Sequence, residues 1–137
     1  MKKQEIAVTV DSVVLCNIKK EFKVLLIKRK NEPFKDQWAL PGGFVEHNEN
    51  LEEAARRELL EETGVKVNSM EQVSAFGEPG RDPRGRTISI AFLSRIFSEE
   101  KPTSGDDAIE AGWFNVKNLP KLAFDHDKII DVAQSRL

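Results

Sequence analysis

Cysteine is nearly missing from this chain: Cys16 stands alone, so no internal disulfide can staple the fold. It falls in the apolar run Val13-Val14-Leu15-Cys16, which predicts a buried strand residue. Histidine is also scarce. His47 and His126 lie far apart and do not make a zinc site. No apolar run is long enough to cross a bilayer, and Asp11 interrupts the first one too early for a secretory signal. A cytoplasmic protein without membrane contacts is the expectation. Excess charge is absent as well: a net charge of −2 gives no general attraction to nucleic acid. Repeats, low-complexity tracts and interdomain linkers are missing, so residues 1–137 should form one domain. What is present, 39% hydrophobic and 32% charged residues, suits a folded chain.

The order of elements predicts an α/β protein. Residues 5–16 and 23–28 read as paired strands rich in β-branched residues. The run Lys28-Arg29-Lys30 closes the second; a solvated strand end is the favoured reading, with Arg29 facing phosphate only if that end borders the helix below. Pro33 and Pro41 prevent a long helix, and Trp38-Ala39-Leu40 predicts a short strand into the Pro41-Gly42-Gly43 turn. Phe34 and Trp38 could stack on a base, although such aromatics more often belong to a core. Residues 66–76 predict a strand, ordered mainly from Met70 to Phe76. Residues 87–97 alternate with strand period, and 111–115 read as a short strand. Residues 125–137 read as a terminal helix, capped by Asp125 or Asp127, with His126 in a local helix-start hydrogen bond.

The most informative stretch is GFVEHNENLEEAARRELLEETGV, residues 43–65. Asn50 followed by Glu53 fits a helix N-cap with a capping-box partner, and Gly64 fits a glycine stop. At roughly 100° per residue, Glu58, Glu61 and Glu62 continue the side begun by Leu51, Ala54 and Ala55. Like charges at this spacing each cost about 0.2–0.5 kcal/mol on an exposed helix. The helix dipole adds about 0.3–1 kcal/mol per acid near the C-terminus. A bound divalent cation removes both penalties, and clustered carboxylates suit Mg²⁺ or Mn²⁺. A salt-bridged surface helix, with Arg56 and Arg57 as counter-charges, explains the same spacing.

This stretch resembles the Nudix box, G-x5-E-x7-R-E-U-x-E-E-x-G-U with U aliphatic. Gly43, Glu49, Arg57, Glu58, Leu59, Glu61, Glu62, Gly64 and Val65 occupy its nine defined positions. The resemblance implies the Nudix fold, a mixed β-sheet sandwiched between α-helices, and hydrolysis of a nucleoside diphosphate linked to another group. It implies metal ligation by Glu58, Glu62 and Glu61, joined by a main-chain carbonyl near Gly43. Arg57 and Glu49 take orienting roles, and Glu46 in the box loop could approach the metals. The general base comes from Glu61 or from a later loop, where Asp106, Asp107 and Glu110 are the candidates. Many relatives pair, which makes a homodimer an expectation.

The loop GEPGRDPRGR, residues 77–86, carries three arginines among glycines and prolines. Arginine forks suit phosphate oxygens; a solvated hairpin turn is the competing reading. With SGDDAIEAGWF and LAFDHDKII, this region is similar to the ADP-ribose pyrophosphatase branch of the family. That likeness implies hydrolysis of ADP-ribose to AMP and ribose 5-phosphate, with Arg81 and Arg84 as substrate contacts. Two alternatives stay open: a hydrolase of oxidised nucleoside triphosphates, and an ADP-ribose sensor without turnover. No room for an added DNA-binding domain follows Leu137, which is expected to disfavour the sensor.

Overall fold

The computed structural model describes residues 3–105 and 108–137. Asp106 and Asp107, two candidates for the base, lie outside the described residues. The elements in order are β1 (Ala7–Ile18), β2 (Glu21–Arg29), β3 (Trp38–Ala39), β4 (Gly42–Phe44), α1 (Leu51–Thr63), β5 (Glu71–Phe76), β6 (Thr87–Ile96), β7 (Ala108–Asn115) and α2 (His126–Gln134). The strands form one mixed sheet. β1 and β6 run parallel from Ala7↔Thr87 to Cys16↔Ile96. The remaining strand pairs are antiparallel, with β7 beside β2 and the short β4 beside β1.

The two helices cover opposite faces of the sheet. Val13 and Leu15 on β1, with Val24 and Leu26 on β2, pack against Ile129, Ile130 and Ala133 of α2. Their neighbours Val14 and Leu25 pack with Leu59 of α1, while Val10 packs with Ala54 and Ala55. A strand covered on both faces needs apolar residues at successive positions, which is why β1 reads as a continuous run rather than an alternation. Cys16 is a free thiol inside that run.

Local chemistry sets the ends of α1. The Asn50 side chain accepts from the Glu53 backbone N–H at 2.9 Å, and Gly64 stops the helix at φ 73. Glu53 returns to the Asn50 side-chain amide rather than to its backbone, so the capping box is incomplete. Ala54 and Ala55 let the helix approach the sheet closely, while Leu59 is fully buried. The sequence periodicity put Glu58, Glu61 and Glu62 on the inner side; Glu62 is buried there together with Leu59, while Glu61 is exposed.

The chain end differs from expectation in three places. α2 starts at His126, and Asp125 at its N-cap makes no capping bond. Glu110 lies within β7, opposite Lys28, and is exposed, so it is not a loop acid. A register shift at Lys28–Arg29 places Ile109 as an extra residue in the partner strand. Such a bulge re-aims nearby side chains.

Candidate functional site

A cavity of about 430 Å³ opens where α1, the Pro41-Gly42-Gly43 turn, the 77–86 loop and the start of α2 converge. Its walls carry opposite charge. Glu58 and Glu62 form an acidic wall beside Asp11, and Arg29, Arg81 and Arg84 a basic one, with Phe44 and Phe124 also in the lining.

Helix α1 supplies the acidic wall. Glu62 is buried and its Oε1 accepts from the Gly42 backbone N–H at 2.9 Å. Burial pushes its carboxyl up to about 9, opposed by the Gly42 hydrogen bond and reinforced by the negative Glu58 and Asp11. Burial also raises Glu58, against the pull of Arg57. Two carboxyls driven toward neutrality in one cleft are groups that a bound cation would hold ionised. The backbone leaves space there. A Cβ on Gly43 would lie 2.7 Å from the Glu58 carboxyl carbon, so any side chain here would push the Glu58 carboxylate out of its present place. Oxygen donors beside exposed main chain suit a hard divalent cation. Among the described residues no group of three His, Cys, Asp or Glu side chains stands ready to hold a metal. The fit is therefore to two carboxylates completed by main-chain oxygen and water, as Mg²⁺-type sites allow.

Arg57 orders this wall. Its Nε and Nη2 grip Glu49 at 2.9 and 2.7 Å, and Nη1 donates to Glu58 Oε1 at 2.8 Å and to Glu61 Oε2 at 3.2 Å. A further bond reaches the Phe44 carbonyl at 3.2 Å. The Arg57 hydrogen bond holds the Glu49 carboxyl down at about 2. Glu49 also accepts from the Glu46 backbone N–H at 2.9 Å, closing the box loop. The Glu61 side chain is 59% exposed and stands outside the cavity lining, whereas Glu46 reaches its rim.

The basic wall is built from distant parts of the chain. Arg29, favoured above as a solvated strand end, is half-buried and lines the cavity, two residues along β2 from Ile27 and on the same face of the strand. Arg81 is 4% exposed and donates to both Asp125 oxygens, at 3.0 and 2.6 Å. Its fork is thus already occupied, and Asp125 is its partner rather than a helix cap. Arg84 folds back on the buried Asp82 at 3.1 and 2.8 Å. Its guanidinium lies 5.0 Å over the Phe44 ring and 5.6 Å over Phe124, while Arg29 lies 5.0 Å over Phe124. Phe124 holds φ 53, a left-handed conformation that a bulky side chain adopts only at a cost.

Phe34 packs on Phe124 at 4.7 Å, and Trp38 on Phe114 at 4.6 Å; neither ring lines the cavity. His126 makes no local helix-start bond. It is buried and its Nδ1 accepts from the Leu40 backbone N–H at 3.0 Å. Burial pushes its imidazole down, against the pull of Asp11. Sequence reasoning missed Asp11, Asp82, Phe44, Phe124 and Asp125 as cavity or supporting residues. Asp11 had a signal: an acid inside a run otherwise fit for a two-faced core needs a partner.

The NUDIX domain model matches residues 6–133, so this chain belongs to the Nudix family. Members of the family use a divalent metal. The chain is 54% identical over 126 residues to an ADP-ribose pyrophosphatase of Methanocaldococcus jannaschii, covering 90% of this chain and 70% of the relative. It is 36% identical over 133 residues to an ADPR-responsive transcriptional repressor of Acinetobacter baylyi, covering 94% of this chain but only 53% of that longer protein. Among solved structures, the NUDIX domain of Shewanella oneidensis NrtR complexed with ADP ribose superposes with TM-score 0.89 at 31% identity, covering 98% of this chain and 90% of that one. Among the described residues no helix is long and apolar enough to cross a membrane.

Proposed function

We propose that this cavity hydrolyses the diphosphate bond of ADP-ribose, giving AMP and ribose 5-phosphate. The observation that carries the reading is the gathering of Glu58 and Glu62 with Arg29, Arg81 and Arg84 in the lining of one cavity. The names of the pyrophosphatase and of the ADP-ribose complex favour this substrate among nucleoside diphosphate derivatives.

Glu58 and Glu62 hold the cation, Mg²⁺ or Mn²⁺, with main-chain oxygen near Gly43. A divalent cation held by these groups would supply charge neutralisation at the diphosphate and a water of lowered pKa. Arg57 keeps Glu58 aimed into the cleft and Gly42 does the same for Glu62. On the other wall Arg84 and Arg29 offer guanidinium groups to the diphosphate oxygens, with Phe44 and Phe124 beneath them. Arg81 acts mainly by fixing the loop against Asp125. Phe34 and Trp38 support this wall from the core rather than stacking on the base. Glu61, tethered by Arg57 beside Glu58, is the box's candidate for taking the proton of the attacking water and would turn inward from outside the cavity lining to do so; Asp106 and Asp107 are the loop alternatives, and Glu110 the least suited. A cytoplasmic enzyme fits a single buried thiol without a disulfide. The net charge of −2 supports a small-molecule substrate over nucleic acid. Pairing of two copies belongs to the same proposal on the family likeness alone, and light scattering tests it.

A parallel assay of ADP-ribose, NADH, diadenosine polyphosphates and oxidised nucleoside triphosphates, with and without Mg²⁺, tests the substrate. The reading expects metal-dependent turnover with ADP-ribose preferred. Preference for a triphosphate would move the chain to a housecleaning role. Tight ADP-ribose binding without turnover would move it to the sensor class named by the repressor relative.

A further inference from the structure

The start of α2 touches the metal side of the cavity through one residue that no part of the mechanism above uses. His126 is buried and contributes to the cavity lining. Its Nδ1 accepts from the Leu40 backbone N–H, 86 residues earlier in the chain. A nitrogen that accepts carries no proton, so the neutral ring is protonated at Nε2. That nitrogen faces Asp11 Oδ1 at 3.5 Å. The other Asp11 oxygen accepts from the Ser89 hydroxyl. Asp11 in turn lies hard against the glycine turn: a Cβ on Gly42 would stand 2.5 Å from Asp11 Oδ1 and 2.1 Å from the Val10 carbonyl. The Ser12 backbone N–H holds the Pro41 carbonyl at 2.9 Å. From the front of the same turn, Gly42 donates to Glu62 and Gly43 faces Glu58.

We propose that His126 is a positioning residue for the cation site: by accepting from Leu40 N–H while facing Asp11, it fixes the Leu40–Gly43 turn from behind and so sets where Glu62 and Glu58 meet the main chain. The inference rests on the reading that Glu58 and Glu62 hold a divalent cation. The physical case is one of constraint. The turn is short and two of its residues are glycines, which lose the most conformational freedom on ordering. From Pro41 onward the segment is held to β1, by the Ser12 bond and the β4 pairing, and Gly42 to Glu62. Leu40 N–H is the donor through which α2 reaches it, and a buried donor without an acceptor is costly. Outer groups that orient metal-binding residues typically matter tenfold to a hundredfold in affinity or rate.

Two isosteric variants separate the two contacts of the ring. In His126→Asn the amide oxygen can occupy the place of Nδ1 and keep the Leu40 bond. In His126→Gln the longer side chain reaches the Nε2 position and keeps only the contact with Asp11. Mn²⁺ affinity read by electron paramagnetic resonance reports the site without turnover. For His126→Gln the expected result is a Mn²⁺ Kd raised about tenfold and a kcat lowered about 10–100-fold, with KM nearly unchanged. His126→Asn is expected to recover most of both. Equal losses of melting temperature with Kd and kcat unchanged in both variants would make His126 a core residue only and overturn the proposal. Equal losses of Mn²⁺ affinity in both would overturn it too, because the Leu40 bond would not be the cause. Wild-type protein that binds no Mn²⁺ would instead remove the cation-site reading beneath it, a separate failure. Independently of metal, ¹⁵N NMR is expected to show His126 protonated at Nε2; the Nδ1-protonated form would contradict the Leu40 bond outright.

Discussion

The two walls of the cavity are held by different kinds of neighbour. On the acidic wall, Arg57 holds Glu58 next door, Glu61 one turn on and Glu49 eight residues back. On the basic wall, Arg81 is held by Asp125 across 44 residues, and Arg29 and Arg84 meet over the ring of Phe124. A wall made from one helix and its leading loop can form whenever that segment folds. A wall made from three distant segments forms only when the sheet and α2 are already in place. The acidic wall should therefore fail in chemistry when it is altered, and the basic wall should fail in stability and substrate affinity.

The largest expected effect is at Glu62. Glu62→Gln should lower turnover by more than about 100-fold, beyond the usual loss for outer groups. Its metal-free melting temperature should match or exceed wild type at pH 8, because a buried carboxyl that resists ionisation is replaced by a neutral amide. Calorimetry and steady-state rates on one preparation check both halves. Glu58→Gln should behave alike in rate. Wild-type turnover in either variant at limiting Mg²⁺ would remove that residue from the metal.

Arg81→Ala should reverse this pattern. It strands a mostly buried Asp125, and breaking such a pair costs about 3–5 kcal/mol. Arg84 is 41% exposed and pairs with Asp82 close in sequence, so Arg84→Ala should change melting little. It should raise the KM for ADP-ribose about ten- to a hundredfold, the worth of one charged hydrogen bond. Lysine at 84 should rescue in part, keeping charge but losing the fork. If both alanine variants left KM and melting unchanged, the basic wall would be ordinary surface.

This contrast also explains what the sequence could disclose. Gly43 to Val65 was legible because its chemistry is local: a cap, an i, i+3, i+4 spacing and a glycine stop. Asn50, Gly64 and the roles of Ala54 and Ala55 stand where the pattern put them. The strands were legible too, within a few residues at their ends, except β4, whose glycines read as a turn but pair with β1. Arg29 was favoured as a solvated end because the segments that enclose it, the 77–86 loop and Phe124, lie far along the chain; the phosphate-facing alternative depended on that neighbourhood. Asp125 and His126 were misread because a helix start offers plausible local bonds, while their actual partners, Arg81 and Leu40, lie far along the chain. Trp38 sits in the core against Phe114, a pairing that only the sheet register defines.

A smaller effect belongs to Gly43. Gly43→Ala would press a methyl group against the Glu58 carboxylate. Activity should fall more than melting temperature does, and a variant that loses only melting temperature would reduce Gly43 to a turn residue.

The smallest effect is in pH dependence, and its sign differs between two carboxylates of the acidic wall. Glu62 has a folded-state pKa raised to about 9, so the folded metal-free protein holds a proton that the unfolded chain gives up near 4.5. Stability from this group is full below that pH and declines as pH rises toward about 9. Glu49, held down at about 2, contributes stability above about 4.5 and loses it as pH falls through 2. Millimolar Mg²⁺ should raise the melting temperature more at pH 8.5 than at pH 6, because the cation displaces the proton. A metal-induced shift independent of pH would disconnect Glu62 from the cation.

The central claim is that paired carboxylates on α1 make this cavity a metal-dependent diphosphate hydrolase. The most direct measurement follows ADP-ribose by ³¹P NMR with wild type and Glu62→Gln side by side, each with saturating Mg²⁺ and with chelator. The account expects wild type with Mg²⁺ to convert the diphosphate signals to those of AMP and ribose 5-phosphate. It expects little conversion with chelator or with Glu62→Gln, although ADP-ribose still binds. Equal conversion by Glu62→Gln, or conversion that ignores the chelator, would contradict it.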